Sequence, residues 1–340
     1  MTSLLTPLEK NCKMTKKPLQ ELFDAMYHGK LVFDEFLTSP LAQNYEVISE
    51  GGNGKRRILK PKDKFKEFHR FLNLFLIEFL PVNERVVFSY RKGVGPLNAV
   101  EKHQRGRHFF QTDIVSFFGS IDQSLTRRII CEGAKYSPIS DIEKYIDRII
   151  EMICIDDSLP IGFPASAPLS NCVLFDFDNA LEKYCDEHEL VYSRYSDDII
   201  VSAQSPDEIF NIVDVIARNL RELVSPRLDI NRAKTRFFKV GGRISLLGMM
   251  ILPNGKISPD TRRKTDLEVM LHYYSTDRAR FRSLMEKKKP NLSEDDYEDF
   301  LSGHLNYVDS IDKDYTDKLR KKFGTTTIDS LIHKGFAKRK

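Results

Sequence analysis

The 340-residue sequence predicts an α+β fold, and three patterns carry that expectation. Apolar residues recur at helical spacing in several separate windows. Short aromatic or β-branched runs lie between them, and turn residues mark where one pattern gives way to the next. Strands interleaved with helices in this way build a sheet with helices covering a face.

The elements follow in order. Phe65, Phe68, Leu72, Phe75, Leu76 and Phe79 keep helical spacing, and Pro81 ends the run. His108 to Ile114 reads as a short aromatic strand. Ser120 to Gln123 has the form of a capping box ahead of Leu125 and Ile129. Ile142, Tyr145, Ile149 and Ile153 mark one buried helix; Val173, Phe177, Leu181 and Tyr184 mark another. Val191 to Tyr195 and Ile199 to Ala203 flank Ser196-Asp197-Asp198, which reads as a hairpin with an acidic tip. Ser205-Pro206-Asp207-Glu208 combines an N-cap serine, a proline at the first helical position and a capping glutamate, so Ile209, Val213, Ile216 and Leu220 should line a helix face. Arg243 to Leu252 reads as a strand running into the turn Pro253-Asn254-Gly255-Lys256. Beyond about Pro259 the chain reads as helical and charged, a separate small unit.

Composition narrows the class. Hydrophobic residues make up 41% and charged residues 30%, which excludes a disordered or fibrous chain. The longest apolar candidate, Phe71 to Leu80, is interrupted by Asn73 and Glu78 and falls short of the ~20 residues of a membrane span. Met1 to Lys13 lacks a basic start followed by an apolar stretch, so no secretion signal is expected. Cys12, Cys131, Cys154, Cys172 and Cys185 form no close pair, which argues against a zinc site or a disulfide framework and fits a reducing cytoplasm. The net charge of +4 is unevenly spread. Lys55 to Arg70 holds eight basic residues against Asp63 and Glu67, and Lys313 to Lys340 holds nine against three acidic ones. Two basic zones suit a surface that grips polyphosphate at two places; two solvated faces are the alternative. Lys287-Lys288-Lys289 reads as a solvated loop, and His69 and His103 as fingers or packing residues rather than ligands.

Three aspartates stand out by their surroundings. Asp113 ends an apolar strand, and Asp197 and Asp198 sit at an apolar hairpin. Adjacent carboxylates repel, and hydrophobic flanks solvate them poorly. A divalent cation removes that conflict, and hard oxygen ligands of this kind suit Mg²⁺. Two such ions can activate a hydroxyl nucleophile and stabilise a leaving pyrophosphate. An Asp-Asp pair can equally be an ordinary turn, since aspartate favours turns.

Tyr195-Ser196-Asp197-Asp198 resembles the catalytic box of reverse transcriptases, in which an aromatic residue and any residue precede two aspartates. Asp113 followed by Phe117-Phe118 resembles that family's first catalytic box. Further boxes keep the family order. Lys55-Arg56-Arg57-Ile58 with Pro61 is similar to the fingers segment, and Gly162 to Ser170 to the template-and-nucleotide loop. Asn231 with Lys234-Thr235 is similar to the following lysine box, and Leu246-Leu247-Gly248 to the primer-grip strand. Leu301 to Tyr307 resembles a thumb signature of bacterial retron-type enzymes. The likeness runs from about Lys55 to Phe323. Ala165 and Ser166 stand where the family loop has glutamine and glycine.

The resemblance implies a right-hand polymerase with an antiparallel palm sheet covered by helices and a helical thumb. Residues 1–105 would form the N-terminal region and fingers. Residues 106–258 would form the palm, with a fingers insertion around 135–170, and 259–340 the basic thumb. It implies an RNA-directed DNA polymerase using two Mg²⁺ ions held by Asp113, Asp197 and Asp198, with Lys234 near the leaving pyrophosphate. Lys55 and Arg57 would hold the triphosphate, beside Phe117 and Ala165 in the nucleotide site. Phe118, five positions after Asp113, would exclude a ribose 2′-hydroxyl, so the product should be DNA. Implied partners are a structured non-coding RNA as template or primer, an RNA–DNA duplex, deoxynucleoside triphosphates and an effector protein, in a retron-like antiphage role. A catalytically silent RNA-binding protein on the same scaffold and an untemplated DNA polymerase are the alternative readings.

Overall fold

The computed structural model describes residues 15–49 and 57–337. The chain divides into two compact units, one ending at Phe237 and the other running from Phe238 to the C-terminus.

The first unit carries two sheets. Strands β1 (Tyr45–Ser49) and β2 (Arg57–Pro61) pair antiparallel. The larger sheet has the order β4-β5-β3-β6, from β3 (His108–Asp113), β4 (Val191–Tyr195), β5 (Asp198–Ala203) and β6 (Arg236–Lys239). Both β3 and β4 run antiparallel to β5. Phe109, Phe110 and Ile199 to Val201 are fully buried in it, and helix Phe175–Glu187 packs against β4. His103 is also buried, and its ring nitrogens pair with Ser202 Oγ at 2.8 Å and Ser193 Oγ at 2.7 Å, so it braces β4 and β5 as a packing residue. Burial pushes it down to about 3, which keeps the ring neutral.

A helical cluster packs beside these sheets. Helix Asp63–Phe75 turns Phe65, Phe68, Phe71 and Leu72 inward, but it ends at Phe75, and Ile77–Phe79 is a 3₁₀ turn rather than a continuation of the helix to Phe79. Phe23, from helix Leu19–Tyr27, and Phe36, from helix Phe33–Thr38, meet them edge-on, with ring centroids 5.2 Å apart for Phe23–Phe71 and 5.4 Å for Phe36–Phe68. Edge contacts suit aromatic quadrupoles and make a rigid wall.

Loop Gly162–Ala165 is laid onto β2. Leu59 N–H donates to the Ile161 carbonyl at 2.8 Å, and Gly162 has φ +108°. A Cβ there would stand 2.3 Å from the Leu59 carbonyl oxygen, so only glycine lets the two backbones approach.

The second unit holds a three-stranded antiparallel sheet of β7 (Ile244–Leu246), β8 (Met249–Ile251) and β9 (Ile257–Pro259). Helices Thr261–Thr276, Arg278–Lys288, Tyr297–Ile311, Lys313–Phe323 and Thr325–Ala337 follow. Asp260, Asp277 and Asp312 cap three of them through side chains that accept first-turn N–H groups. Leu267, Leu271, Met285, Leu301 and Leu305 form the core of this unit.

Four further local expectations are corrected. The cap of helix Gln123–Gly133 is Asp122, whose carboxylate accepts from Leu125 N–H at 2.7 Å, while Ser120 ends the short preceding helix. Asp207–Ile209 forms only a 3₁₀ turn, and the helix proper is Ile212–Asn219. Glu208 does act as the expected capping glutamate, accepting the Ser205 N–H at 3.2 Å and the Gln204 N–H at 3.1 Å. The expected strand Arg243–Leu252 is a hairpin, because Leu247 and Gly248 both take positive φ and reverse the chain. Lys287 and Lys288 lie in the last turn of their helix rather than in a loop, where cations face the negative end of its dipole.

Candidate active site

Register assembles the acidic residues. Antiparallel pairing places Asp113, the last residue of β3, directly opposite Asp198, the first of β5. The β4–β5 loop is only Ser196-Asp197, so Asp198 belongs to a strand and the acidic tip is shorter than expected. Ser196 has φ +59°, a positive first position that suits a two-residue hairpin. Ile114 N–H donates to the Asp197 carbonyl at 3.2 Å, tying the hairpin tip to the end of β3. The three aspartates therefore converge on one sheet end.

Lys234 joins them from the segment before β6. Asn231 N–H donates to the Asp113 carbonyl at 2.7 Å, and Val115 N–H to the Asp229 carbonyl at 2.9 Å. The turn at Asn231 then delivers Lys234 Nζ to Asp113 Oδ2 at 2.8 Å. Thr235 and Thr112 hydroxyls pair at 2.8 Å behind it.

The electrostatics are those of a cation-seeking site. Burial, the neighbouring Asp197 and then Asp113 push Asp198 up to about 6, against the opposing Gln111 hydrogen bond and the Lys234 charge. Asp113 Oδ1 is buried and has no hydrogen-bond partner. Among the described residues, no three His, Cys, Asp or Glu side chains form a preassembled metal-holding group. Mg²⁺ seldom needs one, because it is usually bound by one or two carboxylates completed by water and substrate phosphates. Orphaned hard oxygen and crowded carboxylates are the donor chemistry such an ion takes.

The raised Asp198 has a consequence for stability. Between its ordinary 3.8 and about 6, the folded chain holds a proton that the unfolded chain has released. Stability contributed by that proton is present at low pH and is lost as pH rises through about 6. Asp198→Asn is therefore expected to melt higher than wild type at pH 7 in EDTA, by about 1–3 kcal/mol of stability. The gain should shrink toward pH 4, and thermal unfolding at the two pH values checks it. An unchanged melting temperature at pH 7 would mean that the carboxylate crowding costs nothing.

The other expected site residues are placed as follows. Phe117 is buried in the core, and Phe118 is half-buried, with ring centroids 5.4 Å apart. Arg57 is exposed at the start of β2 and ion-paired with Asp156. Ala165 is fully buried, so its methyl group packs in the core. Lys55 lies outside the described residues. In the second unit, two quoted motifs meet: Tyr307 hydroxyl donates to the Gly248 carbonyl at 3.3 Å, under the Arg263 guanidinium.

Sequence reasoning missed the layer behind the aspartates. Arg194, Asp178 and Asn171 are buried and hydrogen-bonded to one another. A signal existed, because an arginine inside an otherwise buried strand is rare without a partner.

Comparisons with known proteins identify the family. Residues 48–251 match the family model described as reverse transcriptase (RNA-dependent DNA polymerase). The chain is 24% identical over 310 residues to the retron Ec83 reverse transcriptase of Escherichia coli, covering 88% of this chain and 93% of that one. It is 26% identical over 302 residues to the retron Ec73 reverse transcriptase of Escherichia coli, covering 85% and 89%. A solved structure of apo telomerase from Candida Tropicalis, truncated from its C-terminal domain, is similar at a TM-score of 0.46 and 13% identity. That likeness covers 71% of this chain and 59% of the telomerase chain, less than two thirds of its length.

Proposed function

The chain belongs to the reverse transcriptase family and is an RNA-directed DNA polymerase of retron type; from that premise we propose that it copies a dedicated structured RNA into DNA at the Asp113–Asp197–Asp198 site. The observation that carries the site assignment is the register of β3 on β5, which sets Asp113 against Asp198 beside the Asp197 turn.

In this reading Asp113, Asp197 and Asp198 would hold a pair of Mg²⁺ ions, whose chemistry would be to acidify a primer 3′-hydroxyl and offset charge on the departing pyrophosphate. Asp198 must be ionised to serve, so a metal ion would compete there with the proton that burial and Asp197 favour. Lys234 keeps a cation against Asp113 and would offset charge or give a proton near the leaving group. Arg57 would exchange its exposed Asp156 partner for the triphosphate, a bidentate acceptor that suits a guanidinium. Lys55 would assist as a point charge. Phe117 would hold the floor of the nucleotide site and Ala165 would shape its wall from the core. Phe118 would bar a ribose 2′-hydroxyl.

We assign residues 1–105 to the N-terminal region and fingers, 106–258 to the palm with a fingers insertion around 135–170, and 259–340 to the helical basic thumb. Basic side chains there would grip the backbone of an RNA–DNA duplex, since A-form duplexes are recognised by shape and 2′-hydroxyls. A retron-like role would add a small non-coding RNA as template and primer, an effector protein and antiphage defence, with the enzyme acting in the cytoplasm. No helix among the described residues is long and apolar enough to cross a membrane.

Purified protein supplied with Mg²⁺, deoxynucleotides and a primed RNA should extend the primer, and sequencing the co-purified nucleic acid should return one small RNA species. Failure to extend any primer would leave the scaffold without the proposed chemistry. Phe118→Ala should raise ribonucleotide incorporation by roughly tenfold or more, the size of a lost steric contact of 1–3 kcal/mol. Competition between a deoxynucleotide and its ribonucleotide measures the change. An unaltered ratio would remove Phe118 from the gate.

A further inference from the structure

We propose that Arg194 is a positioning residue for the acidic turn: it acts through the Ser196 carbonyl to set the aim of Asp197 and Asp198. The inference rests on the polymerase reading above, because the turn it positions is the site that reading uses.

Arg194 lies on β4, four positions before Asp198, and is completely buried. Each face of its guanidinium fork is spoken for. Nε donates to Asp178 Oδ1 at 2.8 Å and Nη2 to Asp178 Oδ2 at 2.5 Å. Nη1 donates to Asn171 Oδ1 at 3.1 Å and to the Ser196 carbonyl at 2.9 Å. Asp178 also accepts from Tyr192 hydroxyl at 2.7 Å. The carboxylate anchors the fork on helix Phe175–Glu187, and the free arm reaches the turn.

Ser196 is held from every polar atom. Its carbonyl takes the Arg194 bond, its N–H donates to Ser89 Oγ at 2.8 Å, and its hydroxyl pairs with Tyr90 at 2.8 Å. Ser89 in turn donates to Asn171 Oδ1 at 3.1 Å and accepts from Asn171 Nδ2 at its carbonyl at 2.8 Å. The segment reaching the turn is itself strapped to β4: Arg194 N–H donates to the Val86 carbonyl at 2.8 Å, and Phe88 N–H to the Arg194 carbonyl at 3.0 Å. A non-glycine residue in the left-handed region persists only when its surroundings over-determine it. Here they do so at the residue whose ψ orients the next two carboxylates.

Lysine keeps the charge but has no fork, so it can reach Asp178 or Ser196 and not both. Arg194→Lys and Ser89→Ala each release one tie on Ser196, and Ser89→Ala leaves the buried ion pair untouched. Outer partners of a metal site typically tune affinity by about 10–100-fold. Mn²⁺ titrated into the full chain and followed by electron paramagnetic resonance should therefore bind each variant at least about tenfold more weakly than wild type. kcat for primer extension should fall by up to about 10²-fold, while primer–template Kd and deoxynucleotide KM stay within about twofold. A packing role alone would lower the folded fraction and leave these constants unchanged in the molecules that fold. Should Arg194→Lys not fold, the paired Asp178→Leu with Arg194→Met, which removes the bond to the Ser196 carbonyl without stranding a buried charge, decides instead. Wild-type Mn²⁺ affinity and kcat in the folded paired variant, with wild type itself active, would overturn the inference and spare the polymerase reading. A wild-type protein that neither binds Mn²⁺ nor extends a primer would overturn both.

Discussion

Asp197→Asn is expected to bring primer extension down by about 10³-fold or more. The substitution changes one oxygen to an amide nitrogen and keeps the shape of the turn, so the Ile114 N–H bond to the residue 197 carbonyl is retained. What it removes is a negative oxygen from the site proposed to hold two cations. Metal stabilisation of charge in such a transition state amounts to several kcal/mol, and each 1.4 kcal/mol is a factor of ten in rate. The same variant relieves the repulsion that raises Asp198, so its melting temperature should hold or rise. Single-nucleotide extension and thermal unfolding of the same preparation check both halves. Synthesis near the wild-type rate would sink the assignment of this carboxylate to the chemistry.

The largest effect on stability is expected at Asp178→Asn. Both Asp178 and Arg194 are fully buried, and the pair is bidentate. Removing one partner leaves a buried guanidinium without its counter-charge, which costs about 3–5 kcal/mol. For a unit of this size that is a drop of roughly 10 °C in Tm. The paired replacement Asp178→Leu with Arg194→Met removes both charges and should recover most of the loss, since an apolar pair of similar volume is often no less stable than a buried ion pair. Differential scanning calorimetry of the single and double variants measures this. A single variant that melts with wild type would show that the pair carries no net stability.

Much of this architecture was legible locally. The helix Asp63–Phe75 and the strands flanking the acidic hairpin were readable because alternation and helical periodicity are written in neighbouring residues. Local reading failed where a side chain outcompeted the pattern. Asp122 rather than Ser120 accepted the first free N–H of helix Gln123–Gly133, and the helix expected from Ser205 began only at Ile212 after a 3₁₀ turn. It failed again at Leu247, where a positive φ at an aliphatic residue split one apparent strand into two.

By itself the amino-acid order determined which residues bear charge among apolar neighbours, and therefore which aspartates to suspect. Only the folded chain decided that Asp113 faces Asp198, that Lys234 reaches Asp113, and that Arg194 is sealed away while holding the Ser196 carbonyl. Those facts depend on strand register and on burial, which arise between segments far apart along the chain, and no local periodicity records which distant partner a strand will choose.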